Sequence, residues 1–212
     1  MANDKFKTSE ALKYSWGVFK ENIPFFIGLM VAMGLLTVVP DAVSEKIFEP
    51  KSAGLIITKI FLRLIGLAIG MVSTRISLDI HDSGKPDLSR LGELLSAFPA
   101  YLAGKVLYGL MVLVGMILLI VPGIVVAYMF LYVGYLVIDR RLGPIEALQE
   151  SRALTDGYKM DLFLFSSALA LLNLAGALCL FVGLFVTVPM TLMASAYVYR
   201  RLSPAETAVE SA

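Results

Sequence analysis

Residues Arg140 to Leu148 read RRLGPIEAL, and Arg200 to Ala208 read RRLSPAETA. Arg140 and Arg200, Arg141 and Arg201, Leu142 and Leu202, Pro144 and Pro204, and Glu146 and Glu206 match in order. The reading of this repeated phrase decides the fold. It joins a long apolar run to a short polar segment. Paired arginines stop a membrane span at the lipid headgroups. Proline suits the first helical position, where its missing N–H leaves no bond unmade. The phrase is therefore expected to end one spanning hairpin and start the next short helix.

Composition agrees. The chain has 212 residues, 58% hydrophobic and only 17% charged, against about 45–50% and 25% for a soluble domain. The apolar residues lie in long runs of the kind that read as transmembrane helices. Expected spans are Ile23 to Val39 (closed by Pro40), a stretch within Leu55 to Ile80, Pro99 to Val121, Ile124 to Ile138 after a Val121-Pro122-Gly123 turn, Leu162 to about Gly176, and a last one ending at Tyr199. The final two fit only if joined very tightly near Gly183; a re-entrant pair is the alternative. The first run also resembles the core of a secretory signal. Its polar leader is longer than such signals carry, which favours a retained span.

The polar segments between hairpins have helical spacing. Leu12, Trp16 and Phe19 recur on one face. Glu146-Ala147-Leu148 with Ser151 and Leu154 repeats Glu10-Ala11-Leu12 with Ser15 and Val18, and Glu93-Leu94-Leu95 is a looser echo. Pro86, Pro144 and Pro204 fall at near-equal intervals. An internal repeat of this kind is architectural evidence. The expectation is one all-α integral membrane domain over 1–212, a six-helix bundle of three transmembrane hairpins. Each hairpin follows a short interfacial amphipathic helix. The units cover about 8–80, 86–139 and 144–202, with a tail at 203–212.

Charge orients this plan. Lys5, Lys7, Lys13, Lys20, Arg75, Lys85, Arg90, Arg140, Arg141, Arg152, Lys159, Arg200 and Arg201 fall on the side of both termini; Lys46, Lys51 and Lys59 fall on the other. Lys/Arg excess marks the cytoplasm, so both termini are expected there. Net charge is +1, which gives no indication of a nucleic-acid partner.

Chemistry-bearing residues are few. The single histidine, His81, lies between Asp79 and Asp82; a weak metal or proton site and a solvated loop histidine are the two readings. Cys179 has no partner cysteine, and neither a catalytic constellation nor a cofactor motif is visible. Arg63 lies inside the second span, and Lys105 one turn inside the third. An intramembrane charge is a functional candidate by default, set against snorkelling to the interface or, for Arg63, pairing with Glu45 or Glu49. Asn173, Thr187 and Thr191 with Ser166 and Ser167 make the last hairpin polar: a lining for a permeant or lipid, or ordinary interhelical hydrogen bonds. Gly66 and Gly70 form a small-residue pair expected to pack closely, within the bundle or against a second copy. Lys13, Trp16, Lys20, Arg140, Arg141, Arg200 and Arg201 are candidates for anionic headgroups, each basic residue worth about 1 kcal/mol near the surface.

EALKYSWGVFKENIPFF, LLIVPGIVVAY and DRRLGPIEALQESRALTDGYKMDLF together resemble the bacterial YciC-like multi-pass membrane proteins. They are also similar to the membrane domain fused to some glycerophosphoryl diester phosphodiesterases. The resemblance covers roughly 9–202 and implies an inner-membrane protein with no assigned activity. The phosphodiesterase chemistry of the fused relatives belongs to a separate soluble barrel, so the resemblance does not carry that activity over. The first unit departs from the pattern, with a long acidic loop in place of a Pro-Gly turn. The expected function is non-catalytic: membrane organisation, or binding of lipid or a protein partner. A small transporter or channel is the alternative, and a lipid-modifying enzyme using His81 a third reading.

Overall fold

Apolar segments that must satisfy their own backbone groups become helices. In a computed structural model of the chain, every regular element among the described residues is helical. Those residues are 6–50, 52–87, 91–179 and 181–203, with the side chains of 91, 93, 120 and 121 left aside. The order is α1 (Thr8–Glu21), α2 (Ile23–Ile47), α3 (Ala53–Ser83), α4 (Leu91–Leu118), α5 (Ile120–Met129), α6 (Val133–Arg140), α7 (Pro144–Thr155), α8 (Lys159–Leu178) and α9 (Leu184–Leu202). Among the described residues five stretches are long and apolar enough to cross a membrane: α2, α3, most of α4, Pro122–Arg140 and α8. The 20 residues of α8 extend about 30 Å at 1.5 Å each, the thickness of a bilayer's hydrocarbon. Large apolar side chains stand open along these stretches, among them Ile117 at 74% and Leu178 at 77% exposure. A soluble surface rarely carries so much; this is a multi-pass membrane protein.

The packed core lies towards one pole. Leu78 of α3, Leu136 and Ile138 of α6, Ala147 of α7, Leu162 of α8 and Ala194 and Val198 of α9 are all fully buried there. Helix α9 is not among the five apolar stretches. It packs against α1, α2, α3 and α8, so its surface meets protein and tolerates Thr187, Thr191 and Ser195.

Several boundaries differ from the sequence reading. Pro40 does not close the first span: α2 runs on to Ile47. Proline removes a ladder bond and crowds the turn before it, yet the helix continues, and beyond it Ser44 Oγ donates to the Asp41 carbonyl while Lys59 of α3 pairs with Glu45 at 2.7 Å. That pair is open to solvent, and exposed pairs contribute little. Lys59→Ala is expected to leave the thermal midpoint in detergent unchanged; a clear drop would show that the pair ties α2 to α3.

No separate helix forms around Glu93-Leu94-Leu95. That stretch is the first part of α4, which continues through Pro99. The chain turns at Leu119, which is extended (φ −163°, ψ 145°), and not at Val121-Pro122-Gly123. Pro122 sits in the first turn of α5, where its missing N–H is harmless. Gly123 serves close approach instead: a Cβ on Gly115 would lie 2.9 Å from its Cα. The α8–α9 connection closes in the same way, since a Cβ on Gly183 would lie 2.6 Å from Gly176 Cα. By contrast, a Cβ on Gly66 would meet nothing within 4 Å, and one on Gly70 only the Tyr101 hydroxyl at 3.6 Å. Among the described residues nothing packs closely on that pair.

Candidate functional site

The short helices dock through their small residues. The buried face of α1 is Ala11, Ser15 and Phe19, one position off the expected Leu12, Trp16 and Phe19. In α7, Ala147, Leu148, Ser151 and Thr155 are buried. The matched alanines and serines of the two helices are all fully buried. These helices pack their small residues on the bundle.

Helix α7 also repairs a broken span. Between α5 and α6 the helix is interrupted at Phe130–Tyr132, which would strand the Met129 carbonyl and the Tyr132 N–H. Ser151 Oγ accepts from Tyr132 N at 3.2 Å and donates to Met129 O at 3.1 Å, and Thr155 Oγ1 donates to the same carbonyl at 3.0 Å.

The two copies of the repeated phrase meet. Arg200 is clamped by two carboxylates: Nη1 and Nη2 reach Asp139 at 2.6 and 2.8 Å, while Nε reaches Asp82 at 3.0 Å and Nη2 its second oxygen. Tyr199 donates to Asp139 at 2.8 Å. In return, Arg140 donates to Ser203 Oγ at 2.7 Å and pairs with Glu150 at 3.0 Å. Arg200 thus closes the C-terminal ends of α3, α6 and α9, where helix dipoles favour a cation. Planar bidentate geometry makes such pairs strong. Arg201 donates to the Tyr197 hydroxyl at 2.9 and 3.1 Å, and Arg141, left-handed at φ 56°, reaches Ser96 at 3.5 Å.

His81 stands against the rings of Tyr14 and Tyr197, with Nδ1 3.1 Å from Asp82. Its other flanking carboxylate, Asp79, pairs with Arg75 at 2.8 Å. Among the described residues no three His, Cys, Asp or Glu side chains converge on a metal position. Burial pushes the Tyr14 phenol above its ordinary pKa, and the Asp82 carboxylate adds to the shift.

Lys13, Trp16 and Lys20 all face outward on α1, with Lys20 Nζ 5.7 Å from the indole centre. Arg63 is exposed beside a groove between α2 and α3, and Glu45 there pairs with Lys59 instead of with it. Lys105 is half-buried, with Nζ 5.5 Å from the centre of the Tyr101 ring.

The last hairpin borders a cavity of about 300 Å³, lined by Tyr132, Phe165, Leu169, Asn173, Thr191 and Ser195 among others. Thr191 donates to the Thr187 carbonyl at 2.8 Å, so its oxygen accepts from Asn173 Nδ2, also at 2.8 Å. That fixes the amide's orientation and leaves Asn173 Oδ1 buried without a partner; the Tyr132 hydroxyl is buried and unpartnered as well. Thr187 Oγ1 is a further buried atom with no partner and would lie 2.6 Å from a Cβ on Gly176. Each such orphan costs about 1–3 kcal/mol.

No protein-family model, curated protein or solved structure matches this chain.

Of the residues singled out in the sequence, the structure gathers Arg140 and Arg200 into one network, and Asn173 and Thr191 into one cavity wall. Asp82 was singled out beside His81 and not as a partner of Arg200; Asp139 and Tyr199 were not singled out, although they hold the same place before each Arg-Arg pair. Ser151 was visible only as a match to Ser15 and not as the partner of Tyr132, because a break inside an apolar run leaves no mark in its composition.

Proposed function

We propose that this chain is a non-catalytic, multi-pass protein of the bacterial inner membrane that holds anionic lipid headgroups against α1. It belongs in this reading with the YciC-like proteins, and α9 is its sixth span, so that both termini are cytoplasmic. The observation that carries the lipid reading is the outward stripe of Lys13, Trp16 and Lys20. An amphipathic ring beside cations suits the headgroup layer, whereas Arg140 and Arg200 are engaged within the protein.

Two lysines contribute about 2 kcal/mol near an anionic surface. Titrating the detergent-solubilised protein with phosphatidylglycerol in native mass spectrometry tests this. The K13Q/K20Q pair is expected to weaken lipid retention by roughly 30-fold with no change in thermal midpoint. Unchanged retention would remove the reading.

A second reading is transport of a small molecule, favoured by the orphaned Asn173 Oδ1 in the last hairpin and by the broken span beside it, a device of transporter binding sites. Flux of a neutral solute into sealed vesicles, lost in N173L, is the measurement that decides it.

A further inference from the structure

We infer that the groove between α2 and α3 holds a zwitterionic phospholipid headgroup, with Arg63 on its phosphate and Asp41 on its primary ammonium. Four charged side chains line this groove of about 690 Å³: Asp41 and Glu45 from α2, and Lys59 and Arg63 from α3. Asp41 and Glu45 are one helical turn apart, as are Lys59 and Arg63, so each pair shares a helix face. Lys59 Nζ lies 2.7 Å from Glu45 Oε1 and bridges the two helices. Residues 48–52 join the helices and reverse the chain. The next turn away from that connection therefore carries Asp41 on one wall and Arg63 on the other.

These two opposite charges do not pair. Among the described residues, neither the Asp41 carboxylate nor the Arg63 guanidinium has a hydrogen bond or an ion pair; Asp41 uses only its main-chain carbonyl, towards Ser44. Both residues are exposed and both line the groove, so a ligand there reaches them. A charge within a membrane span is costly until a countercharge meets it. The lining has two acids and two bases, and is neutral as a whole. An anionic ligand would satisfy Arg63 and leave Asp41 facing added negative charge, whereas a zwitterion brings a partner for each. A phosphate diester matches the planar donor fork of the guanidinium. A primary ammonium offers three donors to the carboxylate, and a quaternary ammonium offers none.

The surroundings point to the bilayer as the source. Val38 lines the groove at 66% exposure, and Val39 and Phe61 beside it also stand open. The groove thus opens on an apolar surface of the kind that lipid covers. Gly66 leaves room in it, since a Cβ there would meet nothing within 4 Å. Arg63 lies about 15 Å along α3 from Ala53, and a long arginine stem extends from there towards the headgroup layer. The site is at the end of α2 far from α1, and its ligand carries both charges. It stands or falls separately from the anionic-lipid stripe on α1 and from transport.

The probe is dioleoylphosphatidylethanolamine, titrated onto the detergent-solubilised full chain and read as bound-lipid adducts by native mass spectrometry. Dioleoylphosphatidylcholine, with the same phosphate but no N–H donor, is the comparison. The wild type is expected to retain the ethanolamine lipid about fivefold more tightly. D41N should abolish that preference. R63Q should weaken retention of both lipids about fivefold, and R63K should restore most of it. K13Q/K20Q should leave the preference intact. Both positions are exposed, so the thermal midpoints of these variants should stay at the wild-type value. Equal retention of the two lipids by the wild type, a preference that survives D41N, or retention unchanged in R63Q would overturn the inference. Matching falls in midpoint for D41N and R63Q with retention unchanged would also overturn it, by showing that the two residues pair with each other. Glycerophosphoethanolamine, the same headgroup without acyl chains, should not displace the lipid; displacement at equal concentration would overturn the assignment to lipid.

Discussion

Arg200→Met is expected to lower stability by about 3–5 kcal/mol, because removing one partner leaves buried carboxylate charge uncompensated. Arg200 and Asp139 are only 12% and 13% exposed in their side chains, so little solvent is present to replace the guanidinium. For a chain of this length each kcal/mol moves the thermal midpoint by about 2–4 °C, which places the expected fall near 10 °C in detergent. Arg200→Lys keeps the charge but loses the fork that grips Asp139 and Asp82 together, and should recover only part of the loss. A double-mutant cycle with Asp139→Asn separates the pair from the rest of the network. A midpoint within about 2 °C of the wild type would mean that the arginine is hydrated and that the repeated phrases do not hold each other. The same result matters for lipid experiments: glutamine at Arg140 or Arg200 disturbs the fold first, so lipid lost from those variants says nothing about headgroup binding.

Ser151→Ala is expected to cost about 1–3 kcal/mol. The substitution removes the acceptor of the Tyr132 N–H, and Thr155 still serves the Met129 carbonyl. The matched Ser15 is equally buried, yet its hydroxyl donates only to Leu12 O within its own helix. That carbonyl keeps its place in the helix without the hydroxyl, so Ser15→Ala is expected to change stability by less than about 0.5 kcal/mol. The comparison is made by thermal midpoint, together with amide exchange at Tyr132, which should accelerate in Ser151→Ala alone. Equal effects at the two serines would mean that both act as small packing residues and that α7 does not hold the broken span.

The legible parts of this protein were those written in composition and period. Apolar runs announced the spans, because a backbone in hydrocarbon must bond to itself. The matched Glu-Ala-Leu segments announced α1 and α7. Proline misled twice: Pro40 and Pro99 lie inside helices, where neighbouring contacts outweigh one missing ladder bond. The Pro-Gly pair at Pro122 and Gly123 suggested a turn, but the glycine is there for the backbone of Gly115. Spacing on α1 pointed to Leu12 and Trp16, whereas the tight fit against α9 selected Ala11 and Ser15.

By itself the sequence determined that this chain is helical, that it lies in a membrane, and that a phrase recurs at the ends of two of its helices. Those properties are local, set by side-chain polarity and helical period. Only the tertiary structure decided what the phrase is for. Its two copies close on each other through Arg200 with Asp139 and Arg140 with Ser203. It also decided that a serine of α7 completes a broken span, and that Asn173 of α8 bonds to Thr191 of α9 in the wall of one cavity. Pairings between residues far apart in the chain depend on which helix faces are brought together, and that depends on the packing of the whole bundle.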